Sequence, residues 1–331
     1  MGGLGEIAFI ANYLAPLATH PAALGLKDDA ALLTKLPANG LVVTADALVA
    51  GVHFFENDDP GDAAYKAVAT NVSDLAAKGA KPLGYTLTLA LAEAPTQEWA
   101  ERFAGGLSRA QHAFGIALFG GDTVTARGSW WMSITAFGEA SPRGLIPRGG
   151  AKPGDCLYVS GTLGDAALGL KLRLGKTAFE QALSPENRAF LLKRYLYPEP
   201  RLALAEALAR YASAAMDISD GLALDLSRMC DASQVSAEVD VASIPLSAAA
   251  SALATASPGA IETILSGGDD YEILAAVPYR HGVAFETASK EAGVRVTKIG
   301  AVKAGVGAPA FLKSDGTALA LAAKGFEHFK G

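Results

Sequence analysis

The stretch SPRGLIPRGGAKPGD, Ser141 to Asp155, interrupts the periodic pattern on both sides of it, replacing apolar spacing with prolines, glycines and basic residues. A chain of 331 residues is long for one hydrophobic core, so a break near its middle predicts two domains. The expected division is 1–143 and 144–331. Before the break, GEIAFIANYLAPL has the three-and-four spacing of a helix, and AALLTK and GLVVTAD read as short strands. PGDAAYKAVATNVSDLAAKGA then reads as a helix with Pro60 in its first turn and Gly79 at its stop. PLGYTLTLAL reads as a strand, TQEWAERFAGGLSRAQHAF as a helix, and IALFGGD and WWMSITAFGEA as two further strands. After the break, the strand candidates CLYVSG, AAMDIS, AEVDVA, YEILAAV and VRVTKIG alternate with helices. The expected fold is α+β: an N-terminal mixed α/β domain followed by a C-terminal α/β domain.

Composition removes several function classes. The formal net charge is −6 with no Lys/Arg cluster, so nucleic acid is not an expected partner. Cys156 and Cys230 lie far apart outside any CxxC pattern, and the five histidines form no HExxH, which argues against a zinc enzyme. No apolar run reaches the roughly 18 residues of a spanning helix, and the start of the chain carries Glu6 without a basic leader. The expectation is a cytoplasmic protein with no membrane partner. GLKLRLGKT is not a phosphate-binding loop: five residues separate Gly169 from Gly175, and a helical pattern precedes them. GVGAPA near Gly305 reads as a turn.

The informative signal is a set of aspartates at element ends or inside apolar runs: Asp28 and Asp29, Asp46, Asp74, Asp122, and Asp217 with Asp220 in MDISDGLALDL. Each alone has an ordinary explanation as a cap or a turn. Asp74 resists it, lying mid-to-late in its helix with Asn71 one turn earlier, so that the two share a face and present oxygens together. If such carboxylates converge, pairs about 4 Å apart repel by roughly 4 kcal/mol at an effective dielectric near 20, and cations must neutralise them. An all-oxygen donor set selects hard ions such as Mg²⁺, which keeps ligand positions for phosphate. The glycines of GGD, Gly120 to Asp122, let backbone approach a ligand, and RGGAKPGD adds Arg148 and Lys152 as a phosphate clamp.

Taken in order, GLKDDAALL, VTADALVAGVHF, YKAVATNVSDLAAKGAKP, FGGDT, RGGAKPGD, MDISDGLALDL and SGGDDYEIL resemble the thiamine-monophosphate kinase family, within the aminoimidazole ribonucleotide synthetase-like group. The resemblance spans essentially the whole chain. It implies ATP as co-substrate, thiamine monophosphate as acceptor, several Mg²⁺ ions, and a homodimer whose N-terminal sheets pair while the C-terminal domain completes each site. Carried over by position, it implies that Asp29, Asp46, Asp74, Asp122 and Asp217 hold Mg²⁺, with Thr44 and the Ala45 backbone assisting, and that Asp220 binds a further ion. It also implies that Gly121, Asp122, Arg148 and Ser219 contact ATP, Asp122 and Arg148 being catalytic, and that His53, Asp269 and Phe326 contact the thiamine phosphate. This chain has Lys27 where the family usually has Gly, Ala45 for Thr, Asp269 for Glu, and a slightly longer segment after Asp122.

The acceptor is itself a phosphate oxygen, mostly deprotonated at neutral pH, so no general base is required and direct in-line transfer is expected. Asp225 is expected outside the site, facing solvent or capping a neighbour, and Asp269 and Asp270 read on residues alone as a solvated turn. The alternatives are another ATP-dependent enzyme of the group, such as a cyclo-ligase, and a module that holds Mg-ATP without turnover.

Overall fold

The computed structural model describes residues 3–28, 30–175, 183–257, 259–321 and 325–326. The chain divides into two compact units, Met1–Leu75 with Ala80–Gly144, and Ala76–Gly79 with Leu145–Gly331.

The first unit is built on a four-stranded sheet of order β1-β4-β2-β3, made of β1 (Leu41–Val49), β2 (Lys81–Leu91), β3 (Ala117–Thr125) and β4 (Trp131–Glu139). β1 and β2 both run antiparallel to β4, and β2 runs parallel to β3. On one face Met132, Ile134, Ala136, Leu87 and Leu89 are buried, the period-two signature of a half-covered sheet. Helix α2 (Pro60–Ala77) lies on this face, where a side chain at Gly138 of β4 would meet Leu75. Helix α3 (Gln97–Phe114) begins at Thr96, whose hydroxyl accepts the Trp99 N–H, and ends on Gly115 at φ 63°, an αL cap. It packs on α2 with no intervening side chain: a Cβ at Gly106 would lie 2.0 Å from the Gly61 carbonyl oxygen.

Two expectations for this unit need correction. The opening helix is α1 (Glu6–Phe9), which widens to a π turn over Ile10–Leu14 and tightens to a 3₁₀ turn over Ala15–Leu17, where Pro16 has no N–H to continue the α ladder. AALLTK forms no strand. Leu32 donates its N–H to Ala22, but Leu32 and Leu36 are exposed, and strand conformation without a partner leaves backbone groups to water.

The second unit contains a six-stranded sheet of order β10-β7-β9-β5-β8-β6. Its strands are β5 (Cys156–Ser160), β6 (Ala214–Asp217), β7 (Ser236–Asp240), β8 (Ile273–Val277), β9 (Val296–Lys303) and β10 (Ala310–Leu312). All pairings are antiparallel except β10 with β7, and the three-residue β10 is too short to give a sequence pattern. Helices cover both faces. Leu157, Val159, Met216 and Leu274 join a core with α4 (Asp165–Arg173), α5 (Pro185–Leu196), α7 (Leu222–Ser233), α8 (Ala248–Ala256) and α9 (Ala260–Ser266). Cys156, Tyr158, Ala215, Ile273 and Ala275 face the other way, onto α6 (Ala205–Tyr211) and α10 (Gly282–Glu291). Central strands buried on both faces read as continuous apolar runs, as CLYVS and ILAAV do.

Candidate functional site

In the first unit, Thr44 and Asp46 share the β1 face that meets α2, and Ala45 points the opposite way. The Thr44 hydroxyl donates to Asp74 Oδ2 at 2.5 Å, and the Asp46 N–H donates to Asn71 Oδ1 at 3.1 Å. Asn71 Nδ2 in turn donates to the Ala67 carbonyl at 3.0 Å, which fixes the orientation of the amide. The structure therefore brings Thr44, Asp46 and Asp74 together. Asn71, expected to present an oxygen to a ligand, instead binds the β1 backbone and sets the place of Asp46.

Asp122 lies elsewhere on the sheet. Asp46 pairs with Ile134, Ile134 with Leu87, and Leu87 with Gly121, so the two aspartates occupy the opposite outer strands. Three ladder spacings put their strands about 14 Å apart. Asp122 is also one residue out of step with that row and belongs to the other face. Within one chain they do not gather round one ion, contrary to the expected convergence. Among the described residues, no group of three or more His, Cys, Asp or Glu is placed to hold a metal ion. Asp122 instead lines a cavity of about 320 Å³ together with Glu6, Asp28, Thr86, Gly120 and Gly121. Asp29 lies outside the described residues.

The two glycines of GGD have different reasons. A Cβ at Gly121 would stand 1.8 Å from the Leu87 carbonyl oxygen, so strand packing alone demands glycine there. Space beside Gly120 is open, and it is Gly120 that offers bare backbone to the cavity. His53 follows β1 in a tight turn where its Nδ1 accepts the Val49 N–H at 2.9 Å and its carbonyl accepts Lys66 Nζ at 3.2 Å. A neutral imidazole that accepts at Nδ1 carries its proton on Nε2, the form that can donate to a phosphate oxygen.

In the second unit, β6 runs into Asp217, 6% exposed, then Ile218, Ser219, Asp220 and Gly221, which is at φ 110° where α7 starts. Of the two expectations for Asp225, facing solvent or capping a neighbour, the structure shows the second. Asp225 is fully buried in the first turn of α7, and its Oδ2 accepts the N–H groups of Ser219 at 3.0 Å and Asp220 at 2.9 Å. Burial pushes its carboxyl up to about 6, against the lowering effect of the Asp220 N–H. Arg228 pairs with Asp225 at 2.9 Å and also with Asp220, so a cation at Asp220 would share that carboxylate with a guanidinium. The Pro147 carbonyl accepts the Ala215 N–H at 3.0 Å, and Gly150 and Ala151 donate to Ser233 Oγ, which fastens the loop of exposed Arg148 to β6 and to the end of α7.

Ser219, Asp220, Asp269 and Phe326 come together. The Asp269 N–H donates to the Ser219 carbonyl at 2.9 Å, and the Phe326 N–H to the Asp220 carbonyl at 3.1 Å, leaving the Phe326 residue 44% exposed. Asp269 at φ 72° and Tyr271 at φ 50° both occupy the left-handed region, at roughly 1 to 2 kcal/mol each, so surrounding contacts must hold them there. Asp270 between them is buried, not a solvated turn: its Oδ2 accepts the Gly164 N–H at 2.7 Å, and burial raises its carboxyl well above the usual range. Glu272, Arg194 and Arg201 form an ion-paired group beneath this loop that the motif reading missed. The signal for Glu272 was present: it is a charged residue directly ahead of the apolar strand ILAAV, where an ion needs a partner.

The chain matches the family model for AIR synthase related protein, N-terminal domain, over residues 27–140, and that for AIR synthase related protein, C-terminal domain, over residues 152–311. It is 43% identical to the thiamine-monophosphate kinase of Caulobacter vibrioides over 93% of this chain and 87% of that protein. The crystal structure of thiamine-monophosphate kinase from Stenotrophomonas maltophilia shares 38% identity and aligns with a TM-score of 0.82, covering 96% of this chain and 98% of that one. AaThiL complexed with AMPPCP and TMP is 32% identical with a TM-score of 0.75, over 88% of this chain and 87% of that one. By these likenesses and the order of its motifs, the chain belongs to the thiamine-monophosphate kinase family of AIR synthase related proteins.

Proposed function

We propose that this protein transfers the γ-phosphoryl group of ATP to the phosphate of thiamine monophosphate, giving thiamine diphosphate and ADP. The observation that carries the reading is likeness along nearly the whole length of both chains to thiamine-monophosphate kinases, one relative being solved with AMPPCP and TMP. A phosphate oxygen of the acceptor forms the new O–P bond, the bond from Pγ to the β-phosphate oxygen breaks, and ADP leaves. An acceptor with a second pKa near 6 is already mostly anionic, so no side chain need remove a proton.

The chain's task is then to bring two anions into line and offset their repulsion. Asp46, Asp74, Asp122, Asp217 and Asp220, with Thr44 and the Ala45 carbonyl, are the oxygen donors we assign to Mg²⁺. That donor set suits a hard ion, and both cysteines are buried and free. Bound Mg²⁺ supplies charge screening of the phosphates. Asp29 is assigned with them from the sequence. Arg148, Ser219 and the Gly120–Gly121 backbone are assigned to ATP. His53 Nε2–H, Asp269 and the exposed ring of Phe326 are assigned to the thiamine phosphate, the ring offering a face to the thiazolium cation.

We also assign a homodimer in the cytoplasm, each N-terminal sheet paired with its copy. Support comes from the sheet face opposite α2, where Val43 is 54% exposed and Ala45 and Ala47 are exposed beside it, and from the separation of Asp46 and Asp122 on opposite strands. Among the described residues no helix is long and apolar enough to cross a membrane. The test is an ADP-release assay with Mg-ATP and a panel of phosphate acceptors. ADP should form only with thiamine monophosphate, and Asp122→Asn should lower kcat at least about 100-fold. Full turnover by that variant refutes the role of Asp122, and release without thiamine monophosphate refutes the reaction.

A further inference from the structure

The left-handed pair Asp269 and Tyr271 is secured from below by buried ion pairs. The Asp269 N–H donates to the Ser219 carbonyl and the Tyr271 N–H to the Ile218 carbonyl, both at 2.9 Å, and the Ile218 N–H donates to the Glu272 carbonyl at 2.8 Å, so the loop is stitched to the MDISD segment on both sides of Asp270. The Glu272 side chain is fully buried, and its three charged or polar partners converge from three other segments. Ser160 of β5 donates to its Oε2 at 2.6 Å, Arg194 of α5 donates to Oε1 at 3.0 Å, and Arg201 donates from Nε to Oε2 at 2.7 Å and from Nη2 to Oε1. Arg194 also reaches the Asp270 carbonyl at 3.4 Å. A Cβ at Gly161 would lie 2.2 Å from Glu272 Oε1, so the backbone leaving β5 closes directly over the carboxylate.

We propose that Glu272, gripped in a fork by Arg201 and supported by Arg194, is a positioning residue that aims Asp269 at the cationic substrate. This deepens the proposed function and rests on it. Asp269 has a short side chain on backbone in the left-handed region, so its reach depends on how that backbone is held, and a bidentate arginine supplies the fixed geometry. Loosening the fork lets Asp269 and Tyr271 relax toward ordinary φ and moves the carboxylate off the substrate. ATP is little affected, because Ser219 keeps its place through Asp225, which accepts its N–H at 3.0 Å.

The test compares wild type, Arg201→Lys, Arg201→Gln and Asp269→Ala, and the double variant Arg201→Gln with Asp269→Ala, in full kinetics for each substrate and in thermal unfolding. Arg201 is chosen because its side chain is 22% exposed, whereas Glu272→Gln could prevent folding. The expected result for Arg201→Gln is a KM for thiamine monophosphate raised about tenfold with the KM for ATP within about twofold, and Arg201→Lys lying between. Asp269→Ala should add little in the Arg201→Gln background, the coupling expected of residues acting as one unit. Equal rises in both KM values, or fully additive effects, overturn the proposal while leaving the kinase reading intact. A wild-type protein without thiamine monophosphate turnover overturns that reading, and the proposal with it.

Discussion

Asp225 shows how a single side chain answers the puzzle of acidic residues in MDISDGLALDL. It does not face outward. Its carboxylate gathers two consecutive backbone N–H groups, so that Ser219 and Asp220 keep their turn while Leu222 and Leu226 stay buried. Asp225→Ala would leave both donors and Arg228 without that acceptor. The expected loss is about 2 kcal/mol of unfolding free energy in urea, and a change below about 0.5 kcal/mol would show that water replaces the carboxylate. The positions of Asp217 and Asp220 were legible because three acids in an apolar run is an anomaly at the level of adjacent residues. Which groups Asp225 caps was not, because i to i−5 and i to i−6 contacts to backbone leave no pattern of residue types. Glu272 stands out ahead of ILAAV, but its partners do not, for a related reason: Ser160, Arg194 and Arg201 are remote in sequence and each looks ordinary alone.

At the scale of elements, regular periodicity translated into structure wherever a partner element existed. α2, α3 and the strands PLGYTLTLAL and WWMSITAFGEA carry patterns that match the faces they bury. AALLTK has strand composition but no ladder partner, and the alternation of residues cannot reveal whether an edge is available to it. The contact of α2 with α3 depends on a glycine whose role is invisible in the pattern. Gly106→Ala would push a methyl into the Gly61 carbonyl and is expected to destabilise by about 1 to 3 kcal/mol. Gly105→Ala meets nothing within 4 Å and should instead stabilise by up to about 1 kcal/mol through helix propensity. Thermal melts of the two variants should move in opposite directions. Shifts of the same sign would mean the helices part without resistance.

For the whole molecule, two domains and the motif order were readable in the sequence, but the distribution of the carboxylates was not. Strand order is set by pairing across the sheet, and β1-β4-β2-β3 carries Asp46 and Asp122 to opposite edges although they sit at similar places in their strands. If two copies each lend one of these residues to a shared site, variants defective in different halves should complement. Asp46→Asn and Asp122→Asn, each inactive alone, should after mixing and subunit exchange regain about a quarter of wild-type activity: half the dimers are mixed, and each mixed dimer has one intact site. No recovery, with exchange verified by mass, would place both residues in the same chain's site. Val43→Glu should lower the mass seen in sedimentation from dimer to monomer, by burying a charge in the sheet face if that face is covered.

The separation of Asp46 from Asp122 also bears on how the protein behaves when scarce. If two copies share the site, assembly follows mass action, so specific activity should fall on dilution through the dissociation constant of the pair and be rescued by substrates that bridge them. The abundance of the polypeptide would then set not only how many active centres a cell holds but what fraction of them are whole.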